Sequence, residues 1–156
     1  MFRKLRLTGK KIDEEDCHKI LKNGDFGNLA TQGRSSYPYV IPLNYVYFDN
    51  CIFFHCARIG HKIDNIQNNK FVCFSVVGNH KTVPEKFTTA YESVIVFGEA
   101  DIIEAVEEKQ SVLKEILKKY SPNYYKEGLK HIDKFINSTA IVKINITHLS
   151  GKRSKG

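Results

Sequence analysis

The segment 37–48, YPYVIPLNYVYF, carries apolar side chains at both alternations of a β-strand. Tyr39, Ile41, Leu43, Tyr45 and Tyr47 fall on one face; Val40, Pro42, Val46 and Phe48 fall on the other. Successive side chains of a strand point to opposite sides, so such a strand needs cover on both. In a small antiparallel domain the covers are a barrel interior on one side and a helix or partner subunit on the other. Pro38 and Pro42 bring no N–H to a ladder, which marks an edge or a bulge. Backbone groups near Pro42, Leu43 and Asn44 are then free to pair with a ligand, although a kinked edge strand explains the same prolines without one.

Asp49-Asn50 reads as a two-residue hairpin turn. The next strand, Cys51–Ala57, is again apolar on both faces apart from His55. A lone strand histidine is commonly a hydrogen-bonded rim residue; His55 also stands shortly before the turn Gly60-His61-Lys62, where it can line a site. A short helix is expected over 59–68, with Ile63 and Ile66 inward and Asp64, Asn65 and Asn68 outward. Its start collects Arg58, His61 and Lys62 beside the free N–H groups of a helix terminus. Such an end stabilises each nearby anionic charge by ~0.3–1 kcal/mol. The cluster is either a phosphate-binding corner or a solvated basic patch.

Around this hairpin, Asp13 is placed to cap a helix, with Asp16 three residues on and Ile12 set to staple onto Cys17. That helix carries Cys17, Ile20 and Leu21 on one face and stops near Gly24. Phe26–Thr31 is the first strand, and Gln32-Gly33-Arg34-Ser35-Ser36 is a loop. Further strands are expected at 71–77, 92–103 and 139–149, with a bulge or close approach at Gly98. The polar stretch 78–91, containing Pro84, reads as a loop long enough to be an active-site flap. Val106–Tyr120 is a helix with Leu113, Ile116, Leu117 and Tyr120 on one stripe, ended by Ser121-Pro122-Asn123. A second helix spans about 126–136. The class is mainly β (α+β): an antiparallel barrel with helices clustered before the last strand.

Composition narrows the function. At 156 residues with 42% hydrophobic content, the chain is expected to form a single domain, 1–156, with a real core. No apolar run approaches the ~20 residues of a membrane helix. The basic start lacks the apolar segment of a secretory signal, so a cytoplasmic protein without membrane partners is expected. Cys17, Cys51, Cys56 and Cys73 form no Cys-x-x-Cys pair, which argues against disulfides and a structural metal site. The net charge of +7 sits at the ends, about 1–11 and 150–156, which are expected to be flexible. Arg3, Lys4, Arg6, Lys10, Lys11, Lys152, Arg153 and Lys155 leave 16 basic against 17 acidic residues in the body. Basic ends on a near-neutral body do not make a groove-binding surface, and no nucleic-acid partner is expected.

The ordered runs YPYVIPLNYVYF, IFFHCARIGHKIDNIQNN, FVCFSVV and FTTAYESVIVFGEA, with MFRKLR at the start and HLSGK near the end, resemble the pyridoxamine 5′-phosphate oxidase-related, FMN-binding split-barrel family. Within it the likeness is to the 5-nitroimidazole-resistance branch. The resemblance implies a six-stranded antiparallel split β-barrel with flanking helices. It also implies a homodimer that holds FMN, with FAD as the alternative, at the subunit interface. Carried over by position, Ile41, Pro42, Leu43, Asn44 and Tyr45 would line the isoalloxazine. His55, Cys56 and Ala57 would flank the ribityl chain and phosphate, and His61 and Lys62 would grip the phosphate. Asn65 lies one turn on, and Ser93 and Val94 belong to a strand that approaches the flavin. His55 is the candidate catalytic residue, with His61 as competitor. The chain lacks the tryptophan- and arginine-rich C-terminal substrate region of pyridoxamine phosphate oxidase itself, which argues against vitamin B6 oxidation. The expected function is a flavin-dependent reductase of small molecules such as nitroimidazoles; the alternative is a non-catalytic flavin or haem carrier.

Overall fold

Tyr45 stands alone between two strands that belong to opposite edges of the same sheet. The computed structural model describes residues 2–34 and 37–156; Ser35 and Ser36 of the expected loop lie outside the described residues. The segment expected as one strand over 37–48 is two: β2 (Tyr39–Asn44) and β3 (Val46–Phe48). With β1 (Phe26–Thr31), β4 (Cys51–Ala57), β5 (Phe71–Val83), β6 (Thr88–Ile103) and β7 (Thr139–Ser154) they form one antiparallel sheet, ordered β2-β1-β5-β6-β7-β4-β3. Two edge strands separated by one residue can only exist if the sheet curls until its edges meet. The result is a split barrel of seven strands rather than six, not closed by a ladder between β2 and β3. Pro42 sits on β2, at an edge as its missing N–H requires.

The backbone at the split is satisfied from outside the sheet. Tyr45 N–H donates to Tyr120 Oη at 3.0 Å, and Tyr45 O lies 2.7 Å from the same hydroxyl and 3.0 Å from Lys119 Nζ. Both side chains come from the end of helix α3 (Val106–Tyr120). The Tyr45 ring is wholly buried, its hydroxyl donating to Leu21 O at 2.6 Å.

Helix α1 (Glu14–Asn23) is capped by Asp13, which accepts from Asp16 N–H at 2.8 Å, and it buries Cys17, Ile20 and Leu21. Helix α2 (His61–Asn68) also packs on the barrel core, whose interior is built from residues such as Leu29, Phe54, Phe74, Val94 and Ile144. A second core lies on the outer wall, where Phe53 and Ile141 meet Val112, Leu113 and Ile116 of α3 and Ile132 of helix α4 (Tyr125–Phe135). Lys109, buried, donates to Ile136 O at 2.7 Å and ties α3 to the end of α4.

Two further expectations are corrected. The stretch 78–91 is not a loop but a hairpin arm: β5 and β6 pair from Val83↔Thr88 inward, with a 3-10 turn at Pro84–Lys86 and Phe87 at φ 50°. Its Thr and Val residues pair despite the polar composition, across an irregularity between Val77 and His80. The last strand runs past residue 149 to Ser154, where Arg153 bonds Asp16 at 2.6 Å and Glu92 at 3.1 Å. The expected irregularity at Gly98 is present, and a Cβ there would collide with Asn145 O.

Candidate functional site

Strand β4 ends at Ala57, and the chain turns through Gly60 into α2. Gly60 has φ 130°, a conformation that strains any side chain, so this turn depends on glycine. Ile63 and Asp64 N–H groups bond Gly60 O at 2.8 and 3.1 Å, which leaves those of His61 and Lys62 ahead of the helical ladder. Ile63 and Ile66 anchor the helix in the barrel core. The His61 ring stacks on Tyr39 at 4.1 Å, joining the helix start to edge strand β2. Lys62 lies close enough to Cys56 to act on its thiol; burial raises the thiol pKa and the ammonium pulls it back down.

Arg58, counted with this cationic corner in the sequence, instead donates to Asn137 O at 3.0 Å. Asn65, expected to face outward, is buried: its amide donates to Thr31 Oγ1 at 3.0 Å, and a Cβ on Gly33 would strike it. A polar side chain between two inward isoleucines is tolerated because this bond satisfies it. Asn65 pins α2 to β1.

The remaining candidates separate by face. Ile41 and Leu43 are half-buried against the barrel core, whereas Pro42 and Asn44 are exposed, Asn44 donating to Asp25 O at 3.0 Å. Tyr45 is withdrawn, with side chain and peptide both engaged. On β4, His55 and Ala57 face outward while Cys56 packs toward the core. Partial burial lowers the pKa of His55 below the ordinary histidine value and favours its neutral form. Val94 is fully buried in the barrel, and Ser93 lies on the opposite face. Within one chain, Ser93 pairs with Lys152 and His55 with Ile141, far apart along β7, so the structure does not bring Ser93 to the corner.

One cavity flanks some of these residues, and another lies elsewhere on the sheet. One, about 310 Å³, lies between β4 and helices α3 and α4, and both Asn44 and His55 line it. His131 of α4 also lines it, its ring 4.5 Å from that of Phe135. Sequence reasoning missed His131; the signal was its place one residue before Ile132 on the inward stripe of α4. The other cavity, about 440 Å³, lies on the outer face of β1, β5 and β6, walled by Phe2, Cys73 and Phe97. Phe2 stacks on Phe97 at 4.9 Å and on His148 at 4.6 Å. Around it the outer sheet face is bare: Val40, Val77 and Ile95 are all exposed.

A seven-stranded antiparallel sheet, curled and split at Tyr45, with a cationic helix start beside an edge strand, defines a split-barrel protein. The sequence model for pyridoxamine 5′-phosphate oxidase matches residues 13–153, and the chain belongs to that family. No curated protein matches the sequence. Among solved structures it is similar to a candidate 5-nitroimidazole antibiotic resistance protein from Bacteroides thetaiotaomicron. Identity is 24%, with 91% of this chain and 85% of that one covered, at a TM-score of 0.74. It is also similar to the flavocytochrome Anf3 from Azotobacter vinelandii (18% identity, 99% and 73% covered, TM-score 0.84). A FAD-binding protein from Mesorhizobium loti gives 22% identity, 93% and 97% covered, and a TM-score of 0.70. These likenesses establish the shared fold. No helix among the described residues is long and apolar enough to cross a membrane.

Proposed function

We propose that this chain is a flavin-dependent oxidoreductase that passes electrons to a small acceptor, a nitroimidazole-type heterocycle being the class to test first. The observation that carries the reading is the corner at Gly60-His61-Lys62. A glycine-dependent turn presents two unladdered N–H groups and a lysine beside β2 and the end of β4. That donor set suits a phosphate monoester. FMN fits it directly; FAD, whose pyrophosphate carries the same chemistry, is the alternative. A bound flavin supplies the redox chemistry, and the protein's part is to hold and orient it.

The bare outer face completes the reading. Ser93, Val77 and Ile95 share it, and a second copy of the chain docked on this face is the proposed route by which Ser93 would approach a partner's flavin. His55, which lines the cavity beside it, is the proposed proton donor or anchor for the acceptor. The fold shared with a flavocytochrome keeps one second reading in play, a flavin or haem carrier without turnover.

The visible spectrum of gently purified protein tests these together. A two-band flavin profile supports the first reading, a sharp Soret band the second, and colourless protein that takes up no added flavin removes both. Lys62→Glu is expected to lose flavin, and wild-type retention would move the phosphate elsewhere. His55→Ala is expected to stay yellow while nitroreductase turnover falls.

A further inference from the structure

The cavity between β4, α3 and α4 differs in kind from the corner beside it. Among the described residues, none that line it is Asp, Glu, Lys or Arg. Its walls are mainly leucine, isoleucine and phenylalanine side chains from the two helices, and its polar groups are Asn44, His55, Tyr120, Ser121, His131 and Thr139. An ionic ligand would find no carboxylate, lysine or arginine in this lining to pair with. At about 310 Å³ the space is at the small end for ligand pockets, sized for one or two fused rings and not for a flavin nucleotide.

The cavity is also held open by construction. Gly128 of α4 faces Leu117 of α3 so closely that a Cβ would lie 2.5 Å from a leucine methyl, so the helices touch there. Lys109 fixes the far end of α4 through Ile136 O. The tilted rings of His131 and Phe135 form an aromatic lip at the mouth, and a flat ring can stack against them.

We propose that this cavity binds a small, flat, uncharged aromatic molecule, with His131 hydrogen-bonding the ligand's polar substituent and setting specificity. That the ligand is the electron acceptor rests on the flavin reading, because His55 and Asn44 form a wall common to the cavity and the candidate flavin site. The class of ligand does not rest on it.

The test is isothermal titration of the full-length protein with 2-methyl-5-nitroimidazole, using benzoate as the charged control and with flavin absorbance read on the same samples. Wild type is expected to bind the nitroimidazole and to reject benzoate. His131→Phe keeps the ring and removes the hydrogen bond, and is expected to weaken binding ~10-fold. His131→Gln, which restores a donor, is expected to recover part of that loss. Methyl resonances of Leu117 and Ile132 should shift on binding, and shifts confined to the outer face of β5 and β6 would overturn the assignment. Equal affinity in wild type and His131→Phe would overturn it too, as would benzoate binding as tightly as the nitroimidazole. Colourless protein that takes up no added flavin, yet whose binding still depends on His131, sinks the flavin reading and leaves the cavity standing. Flavin-loaded protein whose binding ignores His131 sinks the cavity alone.

Discussion

The sheet has two apolar outer walls, and the chain covers only one. Behind β4 and β7, Phe53 is 3% exposed and Ile141 not at all, because α3 and α4 lie over them. Behind β5 and β6, Val77 is 57% and Ile95 40% exposed, with only Phe2 stacked at one margin. Strands β4 and β5, one in each wall, both carry apolar side chains on their two faces. The difference arises elsewhere in the chain: a helical pair returns over one wall, and no helix among the described residues lies over Val77 or Ile95 of the other. An apolar strand face therefore states that cover is needed, without saying whether the same molecule provides it.

The comparison can be broken at either wall. The largest expected effect is at the covered one, where Phe53→Ala leaves a cavity under α3 and should cost about 3–5 kcal/mol in urea unfolding. A loss below about 1 kcal/mol would mean that the helices are loosely laid. At the bare wall, Ile95→Lys should leave the barrel folded and convert a dimer to a monomer in light scattering. An unchanged dimeric mass, or a wild type that is already monomeric, would end the reading of this wall as the subunit interface. The clasp of the covering helices is sharpened by Tyr120→Phe. It leaves the Tyr45 N–H without its acceptor and should cost about 1–3 kcal/mol.

The smallest effect is a pH slope. Burial lowers the folded-state pKa of His55 below its ordinary value of 6.5, so the unfolded chain takes up this proton first. Stability should therefore decline as pH falls below about 6.5 and level off once the folded form is protonated as well. Melting temperatures of wild type and His55→Gln should diverge across that interval, and parallel curves would remove His55 as a contributor.

Much of the fold could be read from local signals. Phe26–Thr31, Cys51–Ala57 and Val106–Tyr120 have the bounds their periodicity indicates, and Asp13 caps its helix as its spacing predicts. The features that escaped such reading depend on partners distant in the chain. Tyr45 is a good strand former, and its departure from the sheet is decided by Lys119 and Tyr120, some 75 residues later. Asn65 carries no mark of burial until Thr31, 34 residues away, is beside it. The arm at 78–91 has a loop's composition and becomes a hairpin because each half finds the other across Pro84–Lys86. At the candidate site, residue types pointed to the corner, but only the folded chain shows Arg58 and Asn65 engaged elsewhere and His131 at a cavity lined by His55.

The position of β4 in the sheet also governs how the polypeptide reaches this state. Apart from short β3, its only ladder among the described residues is with β7, and the contact between Cys51 and Asn145 spans 94 residues. Until that late segment arrives, a nascent chain carries an unsatisfied, strongly apolar margin able to capture its neighbours. Assembly should accordingly be slow for a protein of this length, and most vulnerable to clumping during translation, when chaperones that shield exposed strands would matter most.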